Sequence, residues 1–143
     1  MIKQTDENKS RRTRILGSVM LVVCSALAVL IATSPGSVTV FRPGDSVTRV
    51  FSFFEEIPDV PVCVFLLYAG VCSCVSLGLS IAELILNRSV LRSGILASSL
   101  AAMTLAVLPL LAEKSVYVLP NMMHPLLMGV VCVGTYMLRK LYK

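Results

Sequence analysis

The chain has 143 residues, of which 56% are hydrophobic and only 15% charged, and its mean hydropathy is +0.84. A soluble domain carries about 25% charged and about 45–50% apolar residues; here long uncharged stretches alternate with short charged clusters, which excludes a soluble core and points to membrane spans. The net charge of +5 does not imply a nucleic-acid partner, because the basic residues flank the apolar stretches and form no single patch.

Residues 1–14 are polar and basic, with Lys3, Lys9, Arg11, Arg12 and Arg14, and read as a flexible cytoplasmic tail. The first span is expected at about 15–33. An uncleaved anchor fits it better than a cleaved signal, since the stretch exceeds the usual apolar core of a signal peptide. Pro35 also follows the only small-residue site, Ala32-Thr33-Ser34.

The loop 34–59 is the longest segment outside the spans. Ser37 to Phe41 alternates weakly like a strand, and Pro43-Gly44 marks a turn. Beyond the turn, Val47, Val50, Phe51 and Phe54 recur at i, i+3, i+4 and i+7. That spacing predicts a short amphipathic helix, capped by Asp45 or Ser46, lying on the outer membrane surface or over the bundle.

A second span is expected at about 60–86, with Asp59 as its cap and Pro61 in its first turn. The third, at about 94–112, follows a polar link and carries Pro109 in its last turns, where a kink is expected. The fourth, at about 122–138, has Asn121 as a cap and Pro125 in its first turn, and 139–143 form a cytoplasmic tail. The expected fold class is an all-α membrane protein, a four-transmembrane-helix bundle over 15–138 with one short amphipathic helix in the first outer loop.

Orientation follows from the distribution of charge. With both termini inside, the cytoplasmic segments hold ten of the thirteen Lys and Arg residues, including Arg88, Arg92, Arg139, Lys140 and Lys143. The outer loops keep Arg42, Arg49 and Lys114 against five acids. Short basic loops stay inside, so both termini are expected in the cytoplasm, in a plasma membrane or bacterial inner membrane.

In lipid, small residues mark the faces where helices meet. Gly70, Cys74, Gly78 and Ala82 form one such stripe, with Cys72, Ser76 and Ser80 beside it; Gly94, Ser98, Ala102 and Ala106 form another. The pair predicts either a tight hairpin of the second and third spans or an interface with a second copy.

Glu83 is the only acid inside a span. It is a candidate proton or cation site, or else a structural carboxylate pairing with Arg88 or Arg92 near the inner end. His124, the sole histidine, is a candidate outer-face site with acids such as Glu113, or a structural interfacial residue. A single histidine without spaced partners makes no metal site. Cys72-Ser73-Cys74 lacks the redox spacing, and five cysteines within apolar stretches are no disulfide framework. No catalytic motif, cofactor or metal is expected.

The sequence therefore indicates a non-enzymatic, multi-pass membrane protein, a structural or accessory subunit that associates laterally with its own copies or with another membrane subunit in the lipid bilayer. The alternative is a small oligomeric channel or transporter using Glu83.

Overall fold

A computed structural model describes residues 2–41, 48–56, 61, 63–112 and 117–142. Four helices, α1 (Ile2–Thr33), α2 (Cys63–Leu86), α3 (Ser89–Ala112) and α4 (Met123–Leu141), carry most of them. Three short strands, β1 (Val38–Phe41), β2 (Arg49–Phe51) and β3 (Tyr117–Pro120), form one antiparallel sheet in the order β2-β1-β3. Among the described residues, three helical stretches are long and apolar enough to cross a membrane: Ser10–Thr33, Cys63–Leu86 and Ser89–Leu111. The 19-residue α4 is less apolar and ends in Arg139 and Lys140.

The helices pack in a ring, α1 on α2 and α4, and α3 on the same two. α1, α3 and α4 each present a narrow buried seam at alternating steps of three and four. On α1 the seam is Ser18, Leu21, Ser25, Ala28 and Ala32; on α3 it is Arg92, Ile95, Ser99, Ala102, Ala106 and Pro109. A 3-4 repeat keeps one stripe facing a neighbour along its whole length, the geometry of left-handed bundles. Large apolar residues such as Leu16, Leu30, Ile85, Val90 and Leu126 point outward. The inside is small and the outside bulky, as expected where lipid is the solvent.

The segment 2–14 is not a loose tail. It continues α1 without a break. No Gly or Pro occurs before Gly17, its Lys, Gln, Glu and Arg are good helix formers, and extending an existing helix avoids the cost of nucleation. At the other end of α1 the hydroxyls of Thr33 and Ser34 donate to the carbonyls of Val29 and Leu30, and Gly36 takes a left-handed φ of 91°. The chain then turns into β1, whose Val38 and Val40 are buried in strand alternation.

The amphipathic helix expected around Val47, Val50, Phe51 and Phe54 does not form. Arg49–Phe51 is strand β2, paired with Val38–Val40, while Phe53 and Phe54 sit in the following turn and Val47 lies outside the described residues. The helical spacing of these residues coincides with a β-branched and aromatic composition that suits a strand. Once β1 is present, the ladder satisfies the backbone of 49–51, and the third strand supplies the support that an isolated hairpin lacks. Phe53 is fully buried, and its N–H donates to the Ala32 carbonyl at 2.9 Å, fixing the sheet on the end of α1.

The α2–α3 connection is shorter than expected, because α3 begins at Ser89 and not near Gly94. Asn87 makes the reversal with φ 49°, and its N–H closes on the Glu83 carbonyl at 2.8 Å. Asn tolerates the left-handed region that a helix C-terminus requires. The helix α3 runs through Pro109 to Ala112. Asp59, expected to cap α2, is outside the described residues; the N-cap of α4 is Met122, without a side-chain cap bond, and Asn121, the expected cap, stands one residue earlier with its Oδ1 accepting from the Met123 N–H at 3.0 Å.

Three apolar clusters stack along the axis. Val38, Val40 and Phe53 pack on Ala32, Leu66, Ala69 and Ala106 at the sheet end. Ala28, Ala102 and Met128 fill the middle. Leu21, Ile95, Val131 and Leu138 close the end that carries the α2–α3 turn.

Candidate functional site

The polar residues of the seams gather into one axial line with a charged cluster at the turn end and a histidine at the sheet end. On α2 the buried positions include Ser73, Ser76, Ser80 and Glu83. Ser18 and Ser25 of α1, Ser99 of α3 and Thr135 of α4 face the same interior. The Ser73, Ser80 and Thr135 hydroxyls donate to carbonyls one turn back, at 2.7–2.8 Å, which satisfies a hydroxyl within its own helix.

At the turn end Glu83 and Arg92 are 1% and 2% exposed. Arg92 places Nε and Nη2 each 2.9 Å from Glu83 Oε1. Nη2 also donates to Asn87 Oδ1 at 3.0 Å, and Nη1 to the Tyr142 carbonyl at 3.3 Å. One guanidinium thus joins the end of α2, the turn, the start of α3 and the end of α4. Of the two partners anticipated for Glu83, Arg92 makes the pair and Arg88 is exposed. Glu83 Oε2 is buried without a hydrogen-bond partner among the described residues.

At the sheet end His124 is fully buried, its ring 4.7 Å from that of Phe53 at an interplanar angle of 56°. Its Nε2 lies 2.8 Å from Ser73 Oγ. The Ser73 hydroxyl is also 2.8 Å from the Ala69 carbonyl, and the imidazole tautomer sets which of Ser73 and Nε2 is the donor. Nδ1 has no partner among the described residues, and Glu113, its anticipated companion, lies outside them. Among the described residues no three His, Cys, Asp or Glu side chains converge on a possible metal position.

The two small-residue stripes take different places. On α3, Ala102 and Ala106 are fully buried while Gly94 and Ser98 are half-buried. On α2, Gly70 lies under the Phe54 ring and Ala82 is half-buried, but Cys74 and Gly78 face outward. A Cβ built on Gly78 meets nothing within 4 Å. The line Ser73, Ser76, Ser80, Glu83 is the buried one instead. Its signal in the sequence was polar residues at heptad spacing inside an otherwise apolar helix.

Comparison with protein-family models, with curated proteins and with solved structures finds no match to this chain. The functional reading therefore rests on the geometry.

Proposed function

We propose that the chain is a four-span membrane protein with both termini in the cytoplasm, acting as a structural or accessory subunit through lateral helix association. The observation that carries this reading is the bare α2 surface at Cys74 and Gly78, flanked by exposed Val71, Val75 and Ile81. Small residues on a lipid-facing helix let a second backbone approach closely, with bulky neighbours packing on either side. The partner is a second copy or another membrane subunit. No enzymatic role is assigned, since the polar groups are spread along the axis and converge at no open cleft among the described residues.

The test is the oligomeric state and co-purifying proteins in mild detergent, compared with Gly78→Leu. A defined complex that falls to monomer in the variant supports the reading; a wild-type monomer without a partner removes it.

A second reading, a small channel or transporter, draws on the four unpartnered buried atoms Ser25 Oγ, Ser76 Oγ, Glu83 Oε2 and His124 Nδ1. The guanidinium on Glu83 Oε1 stands where a bound cation would, which favours the first reading. Glu83→Gln in proteoliposomes, with the folded fraction measured alongside, decides it: loss of a wild-type flux in folded variant supports transport, and an unchanged or absent flux eliminates it.

A further inference from the structure

At the turn end, Ser10, Arg11 and Arg14 of α1 and Tyr142 of the C-terminal segment line a half-open cavity of about 270 Å³. The Tyr142 hydroxyl donates to the Ser10 carbonyl at 3.0 Å and closes one wall. That tyrosine is itself held from the opposite side, where its carbonyl accepts from Arg92 Nη1. The wall belongs to the same network as the buried ion pair, so it is a fixed part of the bundle.

The two arginines are three residues apart and share a helix face. Arg14 is half-buried, and neither guanidinium has an ion-pair partner among the described residues. The one guanidinium nearby that is neutralised is Arg92, by Glu83. Among the described residues no carboxylate lines the cavity. Two unpaired planar forks and a serine hydroxyl around one hollow suit a phosphate, which accepts several charge-assisted hydrogen bonds at once.

Depth identifies the source of that phosphate. The stretch Ser10–Thr33 is 24 residues long, hence about 36 Å at 1.5 Å per residue, against about 30 Å of hydrocarbon. Its first turn, Ser10 to Arg14, falls in the headgroup layer. Basic pockets between spans at that depth hold anionic headgroups.

We propose that the Ser10, Arg11, Arg14 and Tyr142 pocket binds the headgroup phosphate of an anionic phospholipid. The proposal rests on the membrane placement but not on lateral association or on which side the termini face, and the test below needs neither.

The purified chain in mild nonionic detergent is titrated with phosphatidic acid, phosphatidylcholine or glycerol 3-phosphate, and bound ligand is counted by native mass spectrometry. The expected result is one phosphatidic acid per chain, held at least tenfold more tightly than phosphatidylcholine. Arg11→Gln/Arg14→Gln lowers that affinity at least tenfold, while Arg139→Gln/Lys140→Gln, an equal change of charge outside the lining, leaves it within twofold. Arg11→Gln alone, at an exposed position that folding does not need, gives an intermediate loss. Equal losses in the two double variants, or equal retention of both lipids, overturn the proposal. Tight binding of glycerol 3-phosphate by itself overturns the lipid as source and reassigns the pocket to a soluble phosphate.

Discussion

Arg92 reaches back across the α2–α3 turn to put two nitrogens on a single oxygen of Glu83, each at 2.9 Å, with both side chains shut off from solvent. A buried pair of this kind contributes little net stability over an apolar substitute, yet losing one partner leaves a buried charge alone. Glu83→Gln and Arg92→Met are each expected to destabilise the bundle by about 3 kcal/mol or more, and Glu83→Leu/Arg92→Met to recover most of the loss. Reversible unfolding in mixed micelles measures all of them; additive losses would show that the two side chains do not act as a pair.

Gly70 and Phe54 are matched in a similar way, one by having no side chain and the other by filling the gap. A Cβ on Gly70 would lie 2.7 Å from Phe54 Cζ. Gly70→Ala is expected to push the ring off α2 and cost about 1–3 kcal/mol by overpacking. Adding Phe54→Ala should relieve the strain part of that cost, a coupling that a double-mutant cycle on the same unfolding assay reads directly.

For His124 the hydrogen bond to Ser73 and the ring contact with Phe53 separate by substitution. Ser73→Ala removes the hydroxyl's bonds to the Ala69 carbonyl and to His124 Nε2 and is expected to cost about 1–2 kcal/mol. His124→Ala also leaves a cavity beneath the sheet and is expected to cost about 3 kcal/mol or more. If the two variants lose the same stability, the imidazole ring packs less tightly than its contact with Phe53 implies.

The unpartnered hydroxyls of Ser25 and Ser76 give predictions of the opposite sign. Removing a buried hydroxyl that makes no bond relieves its desolvation penalty. Ser25→Ala and Ser76→Ala are expected to be neutral or stabilising by up to about 1 kcal/mol. A loss of stability in either would reveal an ordered water or a proton path along the seam.

The helices were legible in the sequence because each contains a long uncharged run, and Asn87 and Asn121 stand near where the ends fall. The interior was harder to read. Small residues were recognised on α2, but a residue such as Ser73 in an apolar run gives no sign of facing inward until the seams of all four helices are set side by side. The partnership of Glu83 with Arg92 was within reach, because nine residues across a helical turn return the chain to the same level. The strand at Arg49–Phe51 was hidden by a coincidence of spacing: Val50, Phe51 and Phe54 satisfy a helical period, while the deciding partner Val38–Val40 lies across the Pro43-Gly44 turn. The union of β1 with β3 was not legible at all, because backbone pairing between two distant loops leaves no trace in side-chain pattern.

That union makes the two ends of the molecule unequal in what can loosen them. The sheet ties both long connections together through β1, and the Asn121 N–H to Ser37 carbonyl bond at 2.6 Å adds another backbone link. Backbone bonds carry no net charge to screen or titrate. The polar network of the opposite end, over the Leu21, Ile95, Val131 and Leu138 cluster, runs through one guanidinium, one carboxylate, the Asn87 amide and one phenol. Ionic conditions and bound anions therefore act directly on the network that joins the turn end, whereas the links between the strands are backbone bonds.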